Sequence, residues 1–363
     1  MSREIAVDVR MVRHSGVGTY IQNLLPRMIR RCPEVRFHLM GNVDLLRKYQ
    51  WSDLHNVGLI DCRSPIYSLA EQMELPSKLP RSADLYWSPH YIVPALIRCR
   101  TMVTIHDIFH LAMPQYVKGP HKRAYAKGLF MVIARKAGTV VCSSDYTLSE
   151  VKRLTKIDHS KLHRVHLGVD EAWFDAVPER NPHPEPYLLY VGNVKPHKNL
   201  RALLSAYRMI EGEIPHDLVI VGKNEGFITG DAQVAEEARL LGGRVKFTGS
   251  ISLAVLRQYV IHADCLVLPS LYEGFGLPPL EAMACGCPTI VSTAASLPEV
   301  CGDASLYIDP HRPEDIAAKI KMLLNDEALR SELRSKGRQQ AARFGWEKTA
   351  DEMIEICEGL LGA

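Results

Sequence analysis

Twelve short apolar runs alternate with longer helical stretches along the chain. Six precede residue 170: EIAVDV, VRFHLM, ADLYWSP, TMVTIHD, TVVCSS and HRVHLG. Six follow residue 186: YLLYVG, DLVIVG, RVKFTG, ADCLVLPS, PTIVS and SLYID. Segments such as GTYIQNLLPRMIRR, SLAVLRQYVIHA and PEDIAAKIKMLLND, with apolar residues at helical spacing, fill the gaps. Continuously apolar strands need cover on both faces, so alternating β and α units predict parallel sheets flanked by helices. Two such series predict an α/β chain of two Rossmann-like, doubly wound domains. Between them Pro178, Pro182, Pro184 and Pro186 mark an extended linker. The expected division is residues 1–170, a linker at 171–186, a second domain at 187–345, and a final helix at 346–363. That helix carries Met353, Ile354, Ile356 and Leu360 at helical spacing and must bury them somewhere.

At 363 residues, with 47% hydrophobic and 23% charged, the chain has the composition of a folded enzyme, and disorder is excluded as the default. No stretch approaches the roughly 18 apolar residues of a membrane span, and MSREIAVDVR enters a strand pattern without an apolar signal core. The nine cysteines include one C-x-C, Cys285 and Cys287, too little for a zinc site. A reducing, cytoplasmic setting is expected. The net charge of +3 hides an asymmetry: residues 1–168 hold 25 Lys and Arg against 13 Asp and Glu. The basic half is expected to meet something anionic: nucleic acid, a phospholipid surface or a phosphorylated acceptor. Its cations are scattered rather than interleaved with aromatics, which weighs against nucleic acid.

Ligands of doubly wound sheets sit at the carboxyl ends of strands, and four segments there carry polar chemistry. In LYEGFGLPPLEAMACGCPTI, Glu273 and Glu281 flank a turn containing Gly274, Phe275, Gly276 and Leu277. Glycines let backbone amides approach a ligand, prolines suit a first helical turn, and helix N-termini favour phosphate. The segment thus offers N–H donors for a diphosphate and carboxylates for hydroxyls, the two needs of a nucleotide sugar. In LLYVGNVKPHKNL, Asn193, Lys195 and Lys198 follow a strand, where cations could stabilise a departing diphosphate. The P-loop pattern is absent. In HSGVGTYIQNLL, Gly16 and Gly18 open a loop leading into a helix, but Ile21 stands where a dinucleotide fingerprint has its third glycine. In TIHDIFH, His106 ends a strand and could bond a sugar hydroxyl; His106, Asp107 and His110 lack the further ligands a metal would need.

Together these segments resemble the retaining glycosyltransferases of family 4, which have the GT-B fold of two Rossmann-like domains facing a central cleft. The resemblance rests on EGFGLPPLE, AMACGCPTIVS, GNVKPHKNL, SGVGTY, TIHD and HLGVD, and spans nearly the whole chain. It implies that the first domain binds the acceptor, the second binds the donor, and the last helix returns to the first. Glu273 would contact donor-sugar hydroxyls and Glu281 the ribose. Gly274, Phe275, Gly276 and Leu277 would line sugar and pyrophosphate. Lys198 would hold phosphate, His106 would lie near the donor sugar, and Gly16 and Gly18 beneath the pyrophosphate. His106, Glu273 and Lys198 form the expected catalytic set, with neither metal nor cofactor. Many members carry arginine where this chain has Asn193, and Lys195 is the candidate to supply that charge. The resemblance favours GDP-mannose as donor, with UDP-hexoses next. The expected acceptor is a saccharide, free or on a polyprenyl diphosphate, at the cytoplasmic face of an anionic inner membrane, in polysaccharide or lipopolysaccharide synthesis. Competing readings are a sugar-nucleotide epimerase or phosphorylase, a binding protein without turnover, and an NAD oxidoreductase.

Overall fold

In the computed structural model, residues 3–117, 119–222 and 232–362 are described. The chain forms two compact units, Met1–Gly168 with Trp346–Ala363, and Val169–Gly345.

The first unit is built on strands β1 (Glu4–Asp8), β2 (Arg36–Gly41), β3 (Val57–Asp61), β4 (Leu85–Ser88), β5 (Arg100–Ile105), β6 (Thr139–Cys142) and β7 (Leu162–Arg164). They form one sheet in the order β3-β2-β1-β4-β5-β6-β7, all parallel, with Val7 opposite Leu39 on one side and Trp87 on the other. The chain starts mid-sheet, runs out to β3 and returns to β4, so the order reverses between β1 and β4. Helices on such a sheet bury apolar residues: Leu129, Phe130 and Ile133 of the helix Pro120–Lys136 join Val103, Ile105 and Val140 in one core cluster.

The last helix, Trp346–Gly362, buries Trp346, Met353 and Cys357 and packs on the helix Ser15–Arg31. Arg27 Nε donates to Glu347 at 2.6 Å and Arg31 Nη1 to Asp351 at 2.5 Å. These exposed pairs fix register more than they stabilise; the buried apolar residues hold the helix.

The second unit has β8 (Tyr187–Val191), β9 (Asp217–Val221), β10 (Val245–Gly249), β11 (Cys265–Leu268), β12 (Thr289–Ser292) and β13 (Leu306–Ile308). They are parallel, in the order β10-β9-β8-β11-β12-β13, and the reversal falls between β8 and β11. Residues 171–186 contain a short helix, Glu171–Phe174, and lie against this unit. Arg257 Nη1 donates to Ala172 O at 3.2 Å, and His183 Nε2 pairs with Asp217 at 3.0 Å.

The fold is the doubly wound α/β class expected from the alternation. All twelve apolar runs overlap a strand, HRVHLG by only two residues, and β3 is a thirteenth that the pattern did not announce. Its sequence, VGLID, sits at a sheet edge with all five residues only half-buried, so an edge position with a glycine in it lacks the dense apolar run of a central strand.

Candidate active site

The reversal between β8 and β11 opens a crevice at the strand ends, and two loops meet there. Residues 192–199 follow β8 and residues 269–276 follow β11. The first loop turns through Pro196–Lys198 and ends at Asn199, which has a left-handed backbone, φ 58°. Asn tolerates that conformation, and its Nδ2 donates to Pro269 O at 3.0 Å and Pro310 O at 2.7 Å. Leu271 N donates to His197 O at 2.8 Å. The loops are thus joined through the backbone before any charged group is considered.

Lys198 Nζ donates to both oxygens of Glu273, at 2.7 and 2.6 Å. Ser270 Oγ adds a bond to Glu273 Oε1 at 2.7 Å. The glutamate side chain is 10% exposed and the lysine 21%, so both charges are largely removed from water and hold each other in place. The carboxylate fixes where the ammonium sits at this strand end. In the same loop Asn193 is half-buried and Lys195 is exposed.

Glu273 leads into a turn held from behind. Ser296 Oγ donates to Glu273 O at 3.0 Å and Phe275 O at 2.8 Å, and the Phe275 ring packs edge-on to Phe344. Gly276 begins the helix Leu277–Ala284 with φ 111°, and a Cβ there would come within 2.9 Å of Leu297. Only glycine fits. Pro278 and Pro279 take up two first-turn positions without an N–H. This terminus therefore presents fewer N–H groups than a full turn of helix amides.

Glu281, in the same helix, is half-buried, and its carboxyl group has no hydrogen-bond or ion-pair partner among the described residues. Burial, with a smaller push from Asp170, raises its carboxyl to about 7. An unpaired, half-buried carboxylate is costly unless a ligand supplies donors, which suits sugar hydroxyls.

In the first unit the expected residues lie at the ends of β1 and β5. Gly16 and Gly18 stand in the first turn of the helix Ser15–Arg31 rather than in a loop before it, and no side chain caps that turn. The two glycines differ. A Cβ on Gly18 would lie 2.7 Å from Val12 O, whereas one on Gly16 meets nothing within 4 Å. Gly18→Ala is expected to lower stability by about 1–3 kcal/mol, while Gly16→Ala leaves the melting temperature nearly unchanged and raises KM for donor; thermal melts and donor kinetics on the two variants check this.

His106 Nε2 lies 2.9 Å from Pro89 O. A carbonyl only accepts, so the neutral ring carries its proton on Nε2 and a lone pair on Nδ1. Burial holds the imidazole below its ordinary pKa, and hence neutral at pH 7. Tyr20 packs edge-on to it, ring centres 4.7 Å apart, and its hydroxyl lies 3.2 Å from Thr104 Oγ1. Tyr20 also touches Trp346 and Met353 of the last helix, so that helix supports the residue that positions His106.

Sequence reading passed over Tyr20, Asn199, Ser270 and Ser296. Tyr20 and Asn199 lay inside the quoted motifs, but serines acting on a backbone carbonyl or a neighbouring carboxylate leave no spacing signal.

Residues 172–340 match the family model described as Glycosyl transferases group 1, and residues 14–173 match Glycosyltransferase Family 4. The chain is 30% identical over 280 residues to O-antigen chain mannosyltransferase B of Escherichia coli, an alignment covering 74% of this chain and 73% of that one. It is 29% identical over 269 residues to the E. coli serotype-specific mannosyltransferase WbdA, covering 70% of this chain and 33% of that longer protein. Among solved structures, Anabaena HepE in complex with UDP-glucose superposes with a TM-score of 0.78 over 98% of this chain and 99% of that one, at 15% identity. With matches to both halves and a two-sheet fold to carry them, the chain belongs to the family 4 glycosyltransferases, of glycosyl transferases group 1, and has their GT-B fold.

Proposed function

We propose that this glycosyltransferase moves a hexose, mannose from GDP-mannose, with retention of configuration, to a saccharide or polyprenyl-diphosphate-linked acceptor in polysaccharide assembly. The observation that carries this is the Lys198–Glu273 pair at the strand-order reversal, beside a glycine turn and an unpaired glutamate. Lys198, aided by Lys195, holds the diphosphate and neutralises charge as it leaves. Glu273, already oriented by Lys198 and Ser270, accepts from donor-sugar hydroxyls. Glu281 accepts from the ribose. The role assigned to His106 is to offer its Nδ1 lone pair to a sugar hydroxyl. A carboxylate bound by lysine and serine is a poor covalent nucleophile, which favours same-face attack by the acceptor as the nucleotide departs, with rate drawn from positioning and leaving-group stabilisation. The diphosphate charge is assigned to protein cations rather than to a divalent metal, so transfer persists in EDTA. The mannose assignment follows the two mannosyltransferase relatives.

The test incubates the enzyme with GDP-mannose, UDP-glucose or UDP-galactose, with and without a polyprenyl-diphosphate-linked saccharide, and measures nucleotide release and the anomeric configuration of the product. Acceptor-dependent GDP release with an α-linked product is expected. Release from UDP-hexoses alone would move the donor assignment, a β-linked product would contradict retention, and acceptor-independent conversion of the sugar nucleotide would favour an epimerase.

A further inference from the structure

Side chains from the segments that follow β3, β4 and β5 form a hydrogen-bonded chain that the site described above does not use. Tyr67 OH donates to Tyr91 OH at 3.1 Å and lies 3.0 Å from His90 Nε2. A phenol has one proton, and Tyr67 gives it to Tyr91, so His90 is the donor and carries its proton on Nε2. Tyr91 OH lies 2.9 Å from His110 Nδ1, which takes the Tyr91 proton. The order from His90 through Tyr67 and Tyr91 to His110 fixes the tautomer of both rings. It leaves a lone pair on His90 Nδ1, and that buried atom has no hydrogen-bond partner among the described residues.

The chain is held through its backbone and its rings. Tyr67 has a left-handed backbone, φ 59°, which a side chain of this size adopts only where its surroundings impose it. The Tyr91 ring stacks on Phe130, centres 5.5 Å apart, within the apolar cluster of Val103, Ile105 and Ile133. The His90 ring lies against Tyr91, centres 4.0 Å apart. Pro89 O, the carbonyl directly before His90, holds His106 Nε2, so His90 is carried beside His106. Burial, then His106, His110, His14 and Arg10 around it, hold the His90 imidazole well below its ordinary pKa. The ring is neutral at pH 7, and the proton order stands.

Arg10 does not turn this place into a phosphate site, because its guanidinium is buried and already bound by Asp8, Glu71 and the Ser64 carbonyl. Tyr67 remains 40% exposed, with its ring centre 5.6 Å from that of His90. An exposed aromatic ring beside a buried, unpartnered lone pair suits a neutral sugar: the ring covers its C–H face and the lone pair takes a hydroxyl. We propose that His90 is a specificity-determining residue for the acceptor, its Nδ1 accepting from one hydroxyl of a neutral sugar ring, and that Tyr67 and Tyr91 position it by fixing its tautomer. The inference rests on the reading above, since His106 beside it is the residue assigned to the donor sugar.

The experiment is saturation-transfer NMR on the full chain with GDP present. The probes are methyl α-mannoside, methyl α-glucoside and methyl α-galactoside, the monodeoxy forms of whichever binds best, and mannose 6-phosphate. One monodeoxy form is expected to bind wild type about tenfold more weakly than its parent. His90→Phe should bind the parent about tenfold more weakly and no longer distinguish that form. His90→Asn, whose Oδ1 can stand where Nδ1 does, should recover the discrimination, which a purely structural role for His90 would not predict. Tyr67→Phe, which keeps the ring but removes the acceptor for the His90 proton, should lose part of it. Equal affinities in wild type and His90→Phe, the same deoxy penalty in both, or tighter binding of mannose 6-phosphate than of the neutral sugars would overturn the proposal. Absence of saccharide binding by wild type would overturn it as well. If GDP still shifts the wild-type melting curve, only this proposal falls; if GDP is silent too, the donor reading falls with it.

Discussion

Glu273→Ala is expected to lower kcat/KM for transfer by about 10²–10³-fold, the scale on which oriented electrostatic groups act. The carboxylate binds Lys198 through both oxygens and Ser270 through one, so its removal acts twice. On the proposed assignment contacts to the donor sugar are lost, and Lys198 loses the partner that holds it. Leaving a largely buried ammonium unpaired also lowers stability, by about 1–3 kcal/mol. Glu273→Gln separates the two effects, because the amide keeps an acceptor for Lys198 while removing the charge. It should recover most of the stability and little of the rate. Steady-state kinetics with thermal melts on both variants decide the matter, and wild-type rates in Glu273→Ala would remove the proposed site.

The second large effect is a gain in stability with a loss in binding. Burial raises the Glu281 carboxyl from its ordinary value near 4.5 to about 7. The folded chain therefore holds this proton more tightly than the unfolded chain. The resulting stability is fully present below about pH 4.5 and is lost as pH rises through about 7. By pH 8 the ionised group costs about 3 kcal/mol. Glu281→Gln removes that cost, so the variant should melt higher than wild type at pH 8 and close to it near pH 5. On the proposed assignment the ionised carboxylate is the stronger acceptor for ribose hydroxyls, so the variant should bind nucleotide about tenfold or more weakly at pH 8, and wild-type affinity should fall as pH drops below 7. Melts and titration calorimetry at both pH values read the two effects separately. A variant that neither gains stability nor loses affinity would exclude Glu281 from the ribose subsite.

What the sequence showed depended on how local the cause was. The strands were legible because an apolar run bounded by glycine, as in YLLYVG or DLVIVG, states its own burial. β3 was not, because an edge strand is only half-buried and its pattern is diluted. Lys198 and Glu273 could be read as loop residues after strands, but not their meeting. Lys198 and Glu273 are 75 positions apart and meet only because β8 and β11 are neighbours across the order reversal. Parallel neighbours of that kind are set by the winding of the whole sheet. Gly16 and Gly18 looked equivalent in SGVGTY, yet only Gly18 is demanded by packing. The raised carboxyl of Glu281 was likewise invisible, since a charged residue in a helix is exposed by default and burial comes from the fold around it.

The most direct measurement of the central claim, that the second unit's glycine turn and Lys198 hold a nucleotide diphosphate, is a thermal-shift series on wild type and Lys198→Ala with GDP, UDP, ADP and NAD. Ligand at a hundred times its dissociation constant stabilises by about 2.7 kcal/mol. A shift in wild type selective for GDP, reduced in Lys198→Ala, is the predicted result. Silence to every nucleotide diphosphate from folded protein, or an equal shift in the Lys198 variant, would contradict it.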